Sequence, residues 1–326
     1  MIFLTGGTGL LGLALLEELR GAGLPCTALV RDGVGAAVVA ARGATPVTGR
    51  VEDPATWDWV AGVSVIIHAA AILVSRDGWP AFERINVTGT HHAARRARIL
   101  GVPLVHISSV AVYGSTTDLP DRSVAEDHPF APLPPHNLYA QSKRMAEMAV
   151  REEANRGLQA TTLRPCIIYG PGDRLFFPKL LAAARRGWLP LIGNGDRPVP
   201  LVHARNVAQA VRLAATTTAG RGHAYNVAND DEITAREIGA VLGEGLGRRI
   251  RMPRVPELAA LRGAEWLDAI AGRCLPAGRT AGTLRTAVGY WRGGNPFDSD
   301  AARRDLGWRP TVRHRPALAE LARAGG

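Results

Sequence analysis

Lysine is nearly absent from this chain of 326 residues, because only Lys143 and Lys179 among its 39 basic residues are lysines and all the others are arginines. Cysteine is scarce too. The three cysteines, Cys26, Cys166 and Cys274, lie far apart and form neither a CxxC metal pattern nor a disulfide framework. We therefore expect no metal site and a reducing, cytoplasmic location.

Long hydrophobic runs are also missing. No stretch of 18 or more uncharged apolar residues occurs, so the sequence offers no candidate membrane span. The N-terminal MIFLTGGTGLLG lacks the basic region of a signal peptide. The formal net charge of +10 would suit nucleic acid, but the arginines are scattered in pairs and no basic run is interleaved with aromatic residues. We expect neither nucleic acid nor a membrane as a partner, and the charge remains compatible with a small anionic ligand.

Short apolar runs alternate with helical patterns along the first two thirds of the chain. The predicted strands are Ile2–Leu4, Thr27–Val30, Val63–His68, Leu104–Ser108 and Ala160–Leu163. Strands that alternate with helices of this length predict an α/β fold with a doubly wound parallel sheet, the Rossmann arrangement. Proline and glycine become frequent after Pro165. We predict a main domain from residues 1–170 plus about 200–230, and a smaller C-terminal substrate lobe from about 171–199 plus 231–326.

A glycine-rich segment, TGGTGLLG, follows the first predicted strand and opens a helix. Gly7, Gly9 and Gly12 satisfy G-x-G-x-x-G, and Gly6, Gly9 and Gly12 satisfy the looser G-x-x-G-x-x-G. Glycine lets the backbone turn tightly and approach a pyrophosphate whose charge lies at a helix N-terminus. The main domain is therefore predicted to bind NAD(P), through the residues Thr5, Gly6, Gly7, Thr8, Gly9, Leu10, Leu11 and Gly12.

The end of the second predicted strand bears on the choice of cofactor. An acidic residue there would bind a ribose 2′-hydroxyl, whereas an arginine would suit a 2′-phosphate. In this chain Arg31 comes first and Asp32 follows it. We favour NADP over NAD, with Arg31 and Asp32 as cofactor-binding candidates, although Arg31 at a strand end is equally compatible with a solvated surface residue.

The segment YAQSK places Tyr139 and Lys143 four residues apart on a predicted helix, Asn137–Arg151, and therefore on one face of it. A phenol with a pKa near 10 is a poor acid or base at neutral pH, and a nearby ammonium group lowers that pKa. Proton transfer to a substrate oxygen then becomes feasible. Taken alone, the pair is equally compatible with an ordinary exposed tyrosine and lysine.

Hydroxyl groups follow the strand that precedes this helix, in the segment HISSVAVYG. Ligands bind at the carboxyl ends of parallel strands, so a serine there can donate a hydrogen bond to a carbonyl oxygen or accept one from an alcohol. From position alone, Ser108 and Ser109 remain alternatives, and both could be mere strand-end caps.

The ordered set of motifs TGGTGLLG, HAAA from His68, NVTGT from Asn86, SSVAVYG, YAQSK and RPCIIYGPGD resembles the extended short-chain dehydrogenases/reductases over almost the whole chain. The resemblance implies a catalytic triad of Ser109, Tyr139 and Lys143. Ser109, chosen over Ser108 by register with the family pattern, orients the substrate oxygen. Tyr139 acts as acid or base, and Lys143 lowers the tyrosine pKa and binds the nicotinamide ribose.

The same resemblance implies further site residues. They are His68, Ala69, Ala70, Tyr139, Lys143, Pro165 and Ile167 for the cofactor, and Ser109, Val110, Tyr139 and Ile168 for the substrate. Asn86 matches a position that supports the central helix or a water relay. Arg50 stands where the family usually has an aspartate near the adenine. A homodimer formed through the helices around Thr88–Leu100 and Asn137–Arg151 is also implied.

Later segments resemble the 3β-hydroxysteroid dehydrogenase-like and dihydroflavonol reductase-like branch, among them VHARNVA from Val202 and the ending from Phe297. We expect an oxidoreductase that interconverts a secondary alcohol and a ketone on a small hydrophobic substrate. The apolar segment Val255–Leu275 is a candidate wall of its pocket or a plain packing helix. The alternatives are a nucleotide-sugar 4-epimerase or dehydratase that retains NAD, with Arg197 and Arg205 facing a diphosphate, and a regulatory protein that binds the nucleotide without turnover.

Overall fold

A computed structural model describes residues 1–58, 60–121, 124–274 and 283–324 of the chain. The strands are β1 Ile2–Thr5, β2 Cys26–Val30, β3 Thr45–Thr48, β4 Val65–His68, β5 Leu104–Ile107, β6 Ala160–Pro165, β7 Ile167–Tyr169, β8 Leu191–Ile192, β9 Leu201–His203, β10 Ala224–Val227 and β11 Arg254–Val255. The helices are α1 Leu10–Gly21, α2 Gly33–Ala40, α3 Pro54–Asp58, α4 Trp79–Phe82, α5 Gly89–Leu100, α6 Leu138–Asn155, α7 Phe177–Arg185, α8 Ala204–Thr216, α9 Ala235–Gly245, α10 Glu257–Cys274, α11 Thr283–Gly293, α12 Asp300–Leu306 and α13 His314–Ala324.

Seven parallel strands form the central sheet, in the order β10-β6-β5-β4-β1-β2-β3. The order reverses between β1 and β4, and the carboxyl ends of all seven strands lie at one edge. The predicted doubly wound Rossmann fold is confirmed. Such a sheet binds ligands at that edge, near the point where the strand order reverses.

Successive side chains of a strand point to opposite faces of the sheet, and different helices cover the two faces. Leu4, Ile67 and Ile107 belong to the core cluster that includes α1 and α8. The neighbouring residues Phe3 and Ile66 belong to the cluster that includes α5 and α6. The second face therefore carries the helix with the predicted Tyr139–Lys143 pair.

The chain after β7 builds a second core. Leu181, Leu191, Ile238 and Leu318 share one buried cluster made from α7, β8, α9 and α13. The segment from Phe297 to Trp308, however, packs into the main core with the sheet. The division into a Rossmann domain and a substrate lobe stays a prediction.

An edge strand and a π-helical turn are among the elements that the sequence analysis did not predict. Strand β3 is a half-exposed edge strand with Pro46 at its centre, and proline weakens the strand pattern although an edge tolerates it. A π-helical turn, Glu83–Thr88, joins α4 to α5. No helix in the described part of the chain is long and apolar enough to cross a membrane.

Candidate active site

The predicted triad comes together at the carboxyl edge of the sheet. Ser109 follows β5 and caps a short 3-10 turn, its Oγ accepting a hydrogen bond from the Ala111 backbone N–H at 3.2 Å. Tyr139 and Lys143 lie on α6, which begins after Asn137, where the Asn137 side chain accepts from the Ala140 N–H. A strand end and a helix start thus bring residues 30 positions apart in sequence to one place.

Ser109 lies close enough to Tyr139 for its hydroxyl to act on the pKa of the phenol. Because the Ser109 oxygen already accepts from the Ala111 N–H, its own proton is free to be donated to the phenol oxygen. Burial raises the pKa of Tyr139 to about 12, and the Ser109 hydrogen bond acts in the opposite direction by favouring the phenolate. Ser109 thus favours ionisation of Tyr139, whereas burial opposes it.

Lys143 is buried, with 3% of its surface exposed, and its Nζ donates to the Ile107 carbonyl oxygen at 2.7 Å. Burial lowers the pKa of Lys143 to about 8, while the nearby Glu147 carboxylate raises it. The ammonium therefore stays mainly protonated at neutral pH. The hydrogen bond of Lys143 goes to β5, and the lowering of the Tyr139 pKa by Lys143 stays a prediction.

Glu147 links the site to a buried ion pair. Arg164 on β6 donates to both carboxylate oxygens of Glu147, at 2.9 and 2.7 Å, and to the Tyr113 hydroxyl at 2.7 Å. Both charged residues are at least nine-tenths buried. A fork-to-fork pair of this kind is directional, so it fixes the rotation of α6 relative to β6 and with it the place of Lys143.

Asn86 supports the same helix from the other side. Its amide nitrogen donates to the Ser142 hydroxyl at 2.9 Å and to the Ile72 carbonyl, and its oxygen accepts from the Ile72 N–H. Asn86 is fully buried within the π-helical turn. It therefore ties the loop after β4 to α6, as expected for a supporting residue.

The glycine loop fits a bound pyrophosphate. A Cβ on Gly6 would lie 2.7 Å from the Ala69 backbone, and one on Gly12 would lie 2.1 Å from the Gly6 oxygen, so packing of the protein itself demands glycine at both positions. At Gly9 the nearest atom would be 3.4 Å away, an ordinary contact. Gly9 precedes α1, whose first turn holds no acidic residue. The backbone there is open to an anion at the helix N-terminus.

The two candidate ribose residues are placed differently. Asp32 caps α2, its Oδ1 accepting from the Gly35 N–H at 2.8 Å. Arg31 is exposed beside it. Arg50 is also exposed and lies 3.7 Å from a Glu52 carboxylate oxygen.

The remaining predicted residues lie around the same edge. Thr5 and His68 are buried and joined by a 2.9 Å hydrogen bond between Oγ1 and Nδ1, which ties β1 to β4. Their side chains are thus used inside the protein. Ala69 and Ala70 follow β4 and are half-buried, and Val110 follows β5 and is buried. Pro165 is the buried last residue of β6, and Ile167 and Ile168 are half-buried in β7.

A cavity next to Tyr139 contains residues that the sequence analysis missed. It lies between the turn after Gly114, the start of α6 and the helices α10 and α11. Leu261 in its lining belongs to the candidate pocket wall Val255–Leu275, whereas His136, Arg285 and Tyr290 were not predicted. Burial raises the pKa of Tyr290, and ionisation of Tyr139 raises it further, so the two phenols are near neighbours. No motif marks Tyr290, because its position depends on the packing of α11. Leu275, the last residue of the predicted pocket wall, lies outside the described residues.

Comparison with known proteins places the chain in a family. Residues 2–228 match the sequence profile of the NAD dependent epimerase/dehydratase family. The chain is 33% identical, over 99% of its length and 96% of the relative, to a 4-hydroxy-2-methyl-3-oxo-4-farnesyl-3,4-dihydroquinoline-1-oxide ketoreductase of Stigmatella aurantiaca. It is 30% identical, over 98% of each chain, to a 2-alkyl-3-oxoalkanoate reductase of Stenotrophomonas maltophilia.

Among solved structures, a dTDP-glucose 4,6-dehydratase of Bacillus anthracis in complex with NAD superimposes with a TM-score of 0.74 at 20% identity, over 98% of this chain and 94% of that one. This likeness shows the fold. A 3β-hydroxysteroid dehydrogenase/decarboxylase is among the sequence matches, which confirms the resemblance to that branch. The chain belongs to the NAD dependent epimerase/dehydratase family and is an NAD(P)-dependent enzyme of the extended short-chain dehydrogenase/reductase type.

Proposed function

We propose that this enzyme is a ketoreductase that interconverts a ketone and a secondary alcohol on a hydrophobic substrate. The observation that carries the proposal is the placement of Ser109 next to Tyr139 beside a cavity, with Lys143 on the same face of α6. Both full-length relatives described above are named as reductases of 3-oxo compounds.

In this proposal Ser109 and Tyr139 bind the substrate oxygen. Ser109 orients that oxygen by donating a hydrogen bond to it and keeps its own proton. Tyr139 gives one proton to the oxygen when the ketone is reduced, or accepts the proton of the hydroxyl when the alcohol is oxidised. Lys143 supplies a positive charge near the developing phenolate and donors for ribose hydroxyls. The loop Gly6–Gly12 binds the pyrophosphate, and the bound nicotinamide cofactor supplies or accepts the hydride.

The lining of the cavity supports a substrate that is apolar with one polar end. Leu261 and Val288 are apolar, whereas His136, Arg285 and Arg292 supply positive charge or hydrogen-bond donors. Arg285 and Arg292 are also held by Glu265 at 3.0 Å and Glu257 at 2.7 Å. We propose a 3-oxo compound with an apolar substituent, the class that the names of the two relatives share.

We further propose NADP rather than NAD as the preferred cofactor. Asp32 is engaged as the cap of α2, while the Arg31 side chain is exposed at the same strand end. A free arginine next to a helix N-terminus suits a 2′-phosphate, because both attract anions.

The epimerase or dehydratase alternative has weaker support. Arg197 lies 3.5 Å from Asp121, Arg205 is exposed, and neither lines the cavity beside Tyr139. An enzyme of this kind regenerates its cofactor in each cycle and retains it. Release of stoichiometric NAD on denaturation of the purified protein would favour this alternative over the ketoreductase.

We also keep the homodimer and the cytoplasmic location as proposals. Met145 and Met148 are exposed on α6, and they share a shallow groove with His91 of α5 on the surface expected to form the dimer. Sedimentation of the purified protein measures its oligomeric state.

Cys26 and Cys166 are free thiols, as a reducing compartment would leave them.

Replacement of Tyr139 by Phe tests the proposed function. The variant removes the proton donor, so kcat for reduction of a 2-alkyl-3-oxo substrate with NADPH should fall by about 10²- to 10⁴-fold. The dissociation constant for NADPH, measured by fluorescence, should stay nearly unchanged. Tyr225→Phe, which alters a buried tyrosine bonded to Asp305, is the matched control. Activity retained in Tyr139→Phe would contradict the assignment.

A further inference from the structure

A row of buried polar side chains lies on the α6 face of the sheet, beneath Lys143. Thr5, His68, His106 and Thr162 are register partners on the adjacent strands β1, β4, β5 and β6. Ser108 follows His106 by two residues and so lies on the same face. Most positions on this face of the sheet are apolar, so a row of buried polar side chains needs a physical explanation.

His106 is the titratable member of this row whose side chain has no hydrogen-bond partner within the described structure. It is fully buried, and neither of its ring nitrogens has a hydrogen bond within the described structure. The Nε2 atom of His68 and the Oγ atom of Ser108 are in the same condition. Leaving such groups unpaired costs about 1–3 kcal/mol each, and phenylalanine would fill the same space without that cost. His106, with both ring nitrogens unpaired, is therefore poorly explained as a packing residue.

The charges around His106 keep its imidazole neutral. Burial lowers the pKa of His106 well below its ordinary value, and the positive charges of Lys143 and Arg164 lower it further. The ring of His68 stacks on it with centroids 6.1 Å apart and is also kept neutral by burial and Lys143. A neutral imidazole has one nitrogen that can accept a hydrogen bond.

Lys143 needs such acceptors. Its ammonium has three N–H donors, of which one goes to the Ile107 carbonyl oxygen. The titratable and charged groups that face it are Glu147 on its own helix, His68 and His106 on the sheet, and Arg164 through its pair with Glu147. His106 is adjacent to Ile107, whose carbonyl receives that one bond.

We propose that His106 is a positioning residue for Lys143, and that its neutral ring offers, through one ordered water molecule, the acceptor that keeps the buried ammonium charged and bound against β5. His68 holds the ring in place by stacking. The inference deepens the proposed function, because the ammonium serves Tyr139 there. The residue itself is not expected to touch the substrate.

The scarcity of lysine makes the inference directly testable. Since Lys143 and Lys179 are the only lysines, protein labelled with ¹³C at the lysine Cε gives two signals, and Lys179→Arg leaves one. The titration midpoint of the Lys143 signal should lie near 8. In His106→Phe it should fall by about one pH unit or more, because a buried cation loses its acceptor. His106→Gln keeps an acceptor and should restore the midpoint.

Thr162→Val is the matched control, since it removes a polar group from the same buried row one strand away. In Thr162→Val the titration midpoint of the Lys143 signal should be unchanged. An unchanged midpoint in His106→Phe, or an equal fall in Thr162→Val, would overturn the inference. If His106→Phe does not fold, His106→Leu serves as the second apolar variant with the same criterion. The titration needs no substrate, so it stands apart from failure of the proposed reaction, which only turnover with a ketone tests.

Discussion

Lys143 shows how strongly the chemistry of one residue depends on its surroundings. The side chain is buried, donates to the Ile107 carbonyl and has a pKa of about 8, held up by Glu147. A chain that otherwise uses arginine retains at this position a compact ammonium, which fits a small buried site and can rotate its donors. The broader, planar guanidinium meets neither need.

Replacement of Lys143 by Arg tests that distinction. The variant preserves the charge, but the forked guanidinium does not fit against β5, and we expect kcat to fall by about 100-fold or more. Steady-state kinetics with the ketone substrate gives the measurement, and Lys179→Arg on the exposed part of α7 is the control. If Lys143→Arg keeps more than half of the activity, the site requires only a cation.

Replacement of Arg31 by Ala tests the cofactor preference. A hydrogen bond to a charged group contributes about 1.5–3 kcal/mol, so loss of the guanidinium should raise the KM for NADPH by about 10- to 100-fold. The KM for NADH should change little, because NADH has no 2′-phosphate. Equal effects on the two cofactors would contradict a role for Arg31 in phosphate binding.

At the scale of elements, the glycines around the loop between β1 and α1 have two different roles. Gly12 is required by the packing of the loop on itself, whereas Gly9 has room for a methyl group in the protein alone. The motif G-x-G-x-x-G does not distinguish the two, because it records only that both residues are glycine. The distances to neighbouring atoms separate a structural requirement from a functional one.

Replacement by alanine should therefore affect different properties at the two positions, stability at Gly12 and cofactor binding at Gly9. Gly12→Ala would place its Cβ 2.1 Å from the Gly6 oxygen and should lower the free energy of unfolding by at least about 1–3 kcal/mol. Gly9→Ala should change that free energy by less than about 1 kcal/mol but weaken cofactor binding at least tenfold. Thermal unfolding and cofactor titration measure the two quantities, and a stable, cofactor-binding Gly12→Ala would refute the distinction.

At the scale of the whole molecule, buried histidines make stability depend on pH. Burial lowers the pKa of His68 to about 3 and that of His203 to about 4, and it lowers the pKa of His106 strongly. In the unfolded chain these rings titrate near 6.5. Below that pH the unfolded state binds more protons than the folded state, so stability falls as the pH decreases.

We expect the free energy of unfolding to decrease from pH 6.5 towards pH 4, with each such histidine contributing about 1.4 kcal/mol per pH unit within its window. Urea unfolding at several pH values gives this slope. His106→Phe removes one of these rings, so the slope of the free energy of unfolding against pH should fall by the contribution of one histidine. A stability that does not change between pH 7 and pH 4.5 would show that these rings accept protons in the folded protein.

The sequence by itself determined the parallel sheet and the triad candidates, because both are written in local patterns. Apolar runs alternate with helical spacing, glycines stand at fixed intervals, and Tyr139 and Lys143 are one helical turn apart. Only the tertiary structure decided what depends on distant packing. It made Asp32 a helix cap, brought Tyr290 of α11 next to Tyr139, and set Lys143 of α6 over His106 of β5. Contacts of this kind join residues far apart in the chain, and their burial, which sets the pKa of Lys143, exists only once the sheet and its helices have assembled.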